Sequence, residues 1–262
     1  PQPVPRPKRE YHAIELTVSK RFSQNYFWSA SYVYSRLYGN YSGIQNSDEI
    51  RTPTLGFVFS TDQQSAGSTF RFGGNANRSW DLDEMMWDAN GNVDPQGRLA
   101  TDRPHQFKLY GSYLAPFGTQ VGWNFYAASG TPLTTYVLTL NSTEVFVNGR
   151  GDMGRTPVLS QTDLLLSHEV RIPGAANNRL RFELNVLNVF NQKTARHRFN
   201  TLNRDRDSSA IDLHSTNLAK GYDYEAMLRT TPDGADAFDP RYGMDDLFSE
   251  GTTGHFLIKW LF

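Results

Sequence analysis

Cysteine is absent from all 262 residues, so neither a disulfide framework nor a thiolate zinc or iron–sulfur site is available to this chain. Long apolar runs are absent too. No stretch of roughly 18 apolar residues occurs, and the mean hydropathy is -0.56, which excludes a transmembrane helix. There is no charge bias. Lys+Arg is 26 against Asp+Glu 27, a net charge of -1, so the basic footprint of a nucleic-acid partner is missing. The start, Pro1-Gln2-Pro3-Val4-Pro5-Arg6-Pro7, holds no apolar signal core. It reads as an extended lead-in over 1–10, either left after removal of a signal or lying inside a longer protein. What is plentiful is aromatic: 17 Phe, 13 Tyr and 5 Trp within a hydrophobic share of only 38%. Disordered chains are poor in aromatics, so an ordered fold is expected.

The dominant pattern is period-two alternation, the mark of strands with two unlike faces. In 11–22, His12, Ile14, Leu16, Val18 and Phe22 share one face, and Glu15, Thr17, Ser19 and Arg21 the other. The same contrast recurs in 26–38, 104–115, 119–138, 161–172, 179–191 and 254–262, giving seven strands of about nine residues or more. Short turns sit at 23–25, 116–118 and 173–178, and long connections at 39–102, 139–160 and 192–253. Two connections of about 60 residues do not belong in an ordinary compact domain. Short turns at one end and long loops at the other match an outer-membrane β-barrel, whose apolar face meets lipid and whose polar face meets the lumen. The expected fold is all-β: about seven antiparallel strands, forming the C-terminal portion of a large transmembrane barrel over 11–262, with extracellular loops near 39–102, 139–160 and 192–253.

Parity sharpens this. With short turns on the periplasmic side, strand 11–22 runs inward and 254–262 also ends inward, an odd count. An open sheet edge in lipid leaves backbone groups unpaired. The edge strands 11–22 and 254–262 therefore call for partners from other polypeptide, unless an eighth strand hides in 192–253. Two other readings fit the alternation: a small stand-alone outer-membrane barrel acting as structural protein or adhesin, and a soluble β-rich binding module whose apolar faces pack together.

Several ordered segments carry a family resemblance. They are Tyr11-His12-Ala13-Ile14-Glu15-Leu16 with Lys20-Arg21-Phe22, Ser29-Ala30-Ser31-Tyr32 ending Tyr34-Ser35-Arg36, and Tyr38-Gly39-Asn40-Tyr41-Ser42-Gly43. Thr101-Asp102-Arg103-Pro104-His105-Gln106-Phe107-Lys108, Ser129-Gly130-Thr131-Pro132 and the stretch from Asn148 to Pro157 follow. Asn185-Val186-Leu187-Asn188-Val189-Phe190-Asn191-Gln192, Asp239-Pro240-Arg241-Tyr242-Gly243 and Phe262 complete the set. Together they resemble the C-terminal part of a TonB-dependent outer-membrane receptor, in the Oar-like subgroup that often carries a carboxypeptidase-regulatory-like domain. The resemblance implies a roughly 22-stranded barrel in the bacterial outer membrane, plugged by an N-terminal domain and energised by an inner-membrane TonB partner. It implies uptake of a large or scarce substrate, no enzymatic activity, and no cofactor. It also implies that Ile258, Trp260 and Phe262 form the strand recognised by barrel-assembly machinery, although Leu257 stands where the family often has Gly.

Candidate lumen-facing residues are Glu15, Lys108, Asn124, Asp163, Glu169, Arg181, Glu183 and Asn185, all on the polar sides of their strands. Candidate substrate contacts in the loops are Trp80, Trp87, Tyr222 and Tyr224; the alternative role for such aromatics is to pack the loops together. Asp88, Asn90, Asn92 and Asp94 place oxygen ligands at alternate positions, as calcium loops do, but lack the distal bidentate Glu and also suit an ordinary turn. Arg150-Gly151-Asp152 reads as an adhesion tripeptide or as a plain loop. The histidines at 12, 105, 168, 197, 214 and 255 show no metal-ligand spacing, and no nucleophile elbow is present. A short helix over 217–229, capped by Asn217 and stopped by Thr231-Pro232-Asp233-Gly234, is expected inside a loop.

Overall fold

The computed structural model describes residues 6, 8–40, 87–93, 96–140, 143–172, 178–204 and 206–262. Seven long strands form one antiparallel sheet. They are β1 (Arg9–Ser23), β2 (Tyr26–Gly39), β4 (His105–Leu114), β5 (Thr119–Ala128), β8 (Leu159–Arg171), β9 (Arg179–Leu187) and β12 (Thr253–Leu261), hydrogen-bonded in that order. The two-residue β3 (Gly97–Arg98) pairs beside β2. Strand lengths of 9 to 15 residues suit a bilayer crossing, which needs about 9–11. The first strand begins at Arg9, so the lead-in is shorter than the ten residues expected.

Register carries each apolar stripe onto the next strand. Leu16 lies opposite Tyr32, Tyr32 opposite Phe107, Phe107 opposite Ala127 and Ala127 opposite Ser160. Further along, Leu166 faces Leu184 and Leu184 faces Phe256. Directly paired residues share a face, so the sheet has one continuous apolar-aromatic side. On it Trp123 lies across Gly111, where any Cβ would come within 2.6 Å of the indole ring, so only glycine fits that position.

The turns explain why the strands reverse where they do. Gln24 and Asn25 both take left-handed backbone angles, φ 53° and 66°, as a two-residue hairpin requires. At Ala115-Pro116-Phe117-Gly118 the glycine has φ +86° and its N–H donates to Ala115 O at 3.0 Å. The expected strand 119–138 ends ten residues early, at Ala128. Gly130 there meets the backbone of Thr156 so closely that a Cβ has no room, and Pro132 has no N–H to continue a ladder. The chain leaves the sheet and starts again as β6 (Tyr136–Thr139), paired with β7 (Thr143–Phe146).

The described parts of the long connections fold together at the end of the sheet opposite the short turns. Their described residues contribute the β6–β7 hairpin, a second pair of β10 (Ala195–Arg198) with β11 (Asp245–Phe248), and the short helix α1 (Tyr224–Arg229). β10 and β11 pair with each other and not with the sheet, so 192–253 supplies no eighth wall strand among the described residues. The helix is shorter than expected. Its cap is Asp223, whose carboxylate accepts from Ala226 N at 3.0 Å, and Asn217 caps nothing through its side chain. Gly221, at φ +78°, separates α1 from the single turn over Leu218–Lys220. Val137, Val145, Val147, Ile211 and Leu228 make a small buried core beneath these loops, and Phe238, Met227 and Leu213 pack around it.

Candidate functional site

Glu15, Lys108, Asn124, Asp163, Glu169, Arg181, Glu183 and Asn185 all fall on the sheet face opposite the apolar stripe, by the register of their strands. Five of them are joined into networks. Lys259 donates to Glu183 at 2.6 Å, and Arg181 bridges Glu183 at 3.7 Å to Glu169, which also takes Arg179 at 3.3 Å. Asn124 donates to Asp163 at 3.1 Å, and Gln161 and the Asn188 backbone N–H donate to the same carboxylate at 2.8 and 2.9 Å. Glu15, Lys108 and Asn185 stand apart from both networks. A shallow hollow of about 410 Å³ opens on this face over Tyr110, Ser112, Gly122, Asn124, Asp163 and Asn185. It exists because Ser112 and Gly122, paired directly, leave no side-chain bulk between Tyr110 and Leu165.

A second recess, about 650 Å³ and largely polar, lies in the loop assembly. Ala89, Asn90, Asn148, Tyr222, Tyr224 and Glu225 line it. Two of the four loop aromatics singled out from the sequence, Tyr222 and Tyr224, line it, and a third, Trp87, is bonded to Tyr222. Tyr222 donates to the Trp87 carbonyl at 3.1 Å across 135 residues, and Tyr224 donates to Asn148 Oδ1 at 3.3 Å. Trp80 lies outside the described residues. Burial pushes the Tyr222 phenol up to about 12, with the nearby Asp88 charge adding to it.

The Asp88 loop is built as a turn. Its carboxylate accepts from the backbone N–H of Asn90 at 3.0 Å and of Asn92 at 2.8 Å, and from the Asn92 side chain at 2.9 Å. Those bonds occupy the oxygens a cation would use. Asp94 lies outside the described residues. No group of three or more His, Asp or Glu positioned for a metal occurs among the described residues. The Arg150-Gly151-Asp152 triplet is likewise committed to internal contacts. Arg150 donates to Asn40 O at 2.8 Å and covers the Phe146 ring, Gly151 N–H donates to Thr134 Oγ1 at 3.0 Å, and Asp152 accepts from Thr135 N–H at 2.8 Å.

One group has no counterpart among the residues singled out from the sequence. Asp102, fully buried, binds Arg155 and Arg98, and accepts from Leu37 N–H at 2.6 Å. Arg155 also donates to Gly130 O at 2.9 Å, and Arg103 to Ser129 O at 2.7 Å. Burial lowers the Arg103 guanidinium below its ordinary value. This cluster ties β2, β4 and β5 to the loop assembly. Its only sequence signal is the Thr101–Lys108 stretch itself, which does not reveal partners 53 residues away.

Two facing surfaces and one looped end describe a piece of barrel wall, and the comparisons with known proteins agree. The chain is similar to a TonB-dependent transporter. Over 193 residues it is 26% identical to the TonB-dependent transporter Oar of Myxococcus xanthus, covering 71% of this chain. The match spans 16% of that protein's length. No family model and no solved structure matches. The relationship is receptor-like in the general sense, and the fold is the all-β, antiparallel wall segment expected from the strand pattern.

Proposed function

We propose that this chain forms part of the wall and the extracellular loops of a TonB-dependent outer-membrane transporter, serving energised uptake of a large or scarce substrate by binding and passage. The observation that carries the reading is the two-faced sheet. Ile14, Leu16, Leu166, Phe256, Ile258 and Trp260 are exposed on one side, the opposite side is polar, and the described parts of the long connections gather at one end. A face of that kind is stable against lipid and costly against water. The similarity to Oar points the same way.

In this reading Glu15, Lys108, Asn124, Asp163, Glu169, Arg181, Glu183 and Asn185 line the lumen beside a plug. Trp87, Tyr222 and Tyr224 present the loop recess to substrate. Ile258, Trp260 and Phe262 supply the alternating strand that barrel-assembly machinery recognises. The exposed edges β1 and β12 pair with the remainder of the barrel, and the TonB system acts through the plug. Cell fractionation tests the membrane assignment. The intact protein is expected in the outer-membrane fraction, requiring detergent for extraction and migrating differently on gels before and after boiling. Detergent-free solubility would overturn it. Uptake tests the recess: Tyr222→Ala with Tyr224→Ala should lower substrate binding while leaving membrane insertion intact.

A further inference from the structure

The loop end of the polar face collects cations that the described acids do not balance. Asp102 is the acid at this point, and it is fully engaged: Arg155 and Arg98 bind its carboxylate, and Leu37 N–H donates to it. Arg103, next in the chain, donates instead to Ser129 O at 2.7 Å, just past the end of β5. Burial lowers that guanidinium below its ordinary value, Tyr126 opposes the effect, and the positive charges of Arg196 and Arg155 add to it. Tyr126 lies directly opposite Lys108 in the β4–β5 register, so the phenol and the exposed ammonium share the polar face. Arg196, also exposed, arrives from β10. The chain leading into β10 is fastened over the top of β8, by Gln192 to Ser160 Oγ at 3.0 Å and by Thr194 to Val158 O at 3.4 Å. Gln161 of β8 is the register partner of Tyr126. Among the described residues Arg103, Arg196 and Lys108 have no carboxylate partner. Asp163, on the neighbouring strand, already takes Asn124, Gln161 and the Asn188 N–H, and Glu15 lies two strands from Lys108.

From this placement we infer that Arg103, Arg196 and Lys108, with Tyr126 between them, form a site at the mouth of the lumen for a substrate carrying at least two oxyanion groups, phosphate or carboxylate. The inference rests on the transporter reading above and deepens it by naming the chemistry of the substrate. Like charges held together where water is partly excluded repel one another, and a bound anion turns that repulsion into attraction. The guanidinium fork offers parallel donors to phosphate or carboxylate oxygens, the lysine adds a point charge, and the Tyr126 hydroxyl is a further donor. Spacing calls for more than one anionic group. Ser129, where Arg103 is anchored, and Tyr126, level with Lys108, are three residues apart, roughly 10 Å along the strand at about 3.3 Å per residue. A single oxyanion meets one end of that interval, and a molecule with two meets both. Position adds to the effect, because a positive mouth between low-dielectric walls concentrates anions at the entrance.

The test uses the intact protein in neutral detergent, titrated by calorimetry with tripolyphosphate and with citrate. One-to-one binding of at least one of them is expected, and the tighter of the two identifies the substrate as phosphorylated or carboxylated. Arg196→Gln and Lys108→Gln change exposed side chains and leave packing alone, and each should weaken that binding about tenfold, as loss of one charge-assisted bond does. Arg103→Gln should weaken it as much, with partial recovery in Arg103→Lys. Lys20→Gln removes one positive charge at the turn end, from a lysine bonded to Ser23 O at 2.9 Å, and should leave the affinity unchanged. Binding of neither anion, or binding that Arg196→Gln and Lys108→Gln leave intact, would overturn the proposal, as would an equal loss in Lys20→Gln. A protein found in the outer membrane that binds neither anion defeats this inference alone. A protein soluble without detergent defeats the membrane reading as well.

Discussion

In the sheet, Leu16, Leu166 and Phe256 remain 62%, 45% and 63% exposed, whereas in the loop assembly Val137, Ile211 and Leu228 reach 0%, 1% and 0%. The two regions obey the same physics with different surroundings. The loops bury their apolar side chains against one another and form a miniature core, as chain surrounded by water does. Among the described residues the sheet has no second layer on its apolar side, and its hydrophobic surface is satisfied only by an apolar medium or by further protein. Polar groups reverse the pattern. The sheet keeps its charges as an exposed ladder from Lys259 to Glu169, while the junction between sheet and loops buries Asp102 outright against two arginines. Sheet stability therefore follows the environment, and loop stability follows internal packing.

The largest effect should come from emptying the loop core. Leu228→Ala is expected to cost about 2–5 kcal/mol of loop stability, read as faster hydrogen exchange at Val137, Leu138 and Ile211 with protection of β4 and β5 unchanged. Equal loss in the sheet would show one cooperative unit and erase the contrast. Next is the apolar face. Leu166→Arg should cost about 2–4 kcal/mol in refolding into lipid vesicles, while Leu166→Ala costs far less than Leu228→Ala. A Leu166→Ala penalty as large as that in the core would mean the face is packed against protein.

Acid should separate the regions further. Arg241 holds the Asp239 carboxyl below the usual aspartate range, and the Ser209 and Ser208 hydroxyls do the same for Asp233. Groups depressed in the folded state stabilise it above their unfolded value. Their contribution is lost as pH falls through the lowered folded value, that is, downward from about pH 4. Limited proteolysis between pH 5 and pH 2 should therefore cut the 199–244 segment before the strands; simultaneous cutting would contradict this. The smallest effect is local: Asp223→Ala should cost about 1 kcal/mol, seen as loss of amide protection at Ala226.

Much of the wall was legible because strand side chains alternate with period two and the chain must satisfy that period locally. Ile14, Leu16 and Val18 announced their shared face without any knowledge of β2. The parity that selected Asp163 and Asn124 for the polar face also makes them neighbours once the strands align, since they are direct register partners. The strand ends at Ala128, short of the alternation that runs on to 138, because Gly130 is held against Thr156, a residue far along the chain, and Pro132 lacks a ladder N–H. The helix was placed too early because Gly221 turns the chain between two short helical pieces, so the working cap is Asp223.

The loop assembly was not legible for a related reason. Tyr136, Val137, Leu138 and Thr139 are all buried with no alternation, because they are covered on both sides. Their partners are remote. Leu138 N–H donates to buried Asn203 at 2.7 Å, and Asn203 donates back to Leu138 O at 3.0 Å, across 65 residues. Tyr222 and Tyr224 read from the sequence only as loop aromatics, and the fold sets them around one recess with Ala89 and Asn148.

By itself the sequence determined the number of long strands, which side chains share a face on each, and which end carries the loops, because these follow from local period and connection length. The tertiary structure alone decided that the loops own a core and that Asp102 gathers Arg98 and Arg155. Those facts depend on register and long-range closure, and backbone hydrogen bonding between strands distant in sequence leaves no periodic trace in either partner.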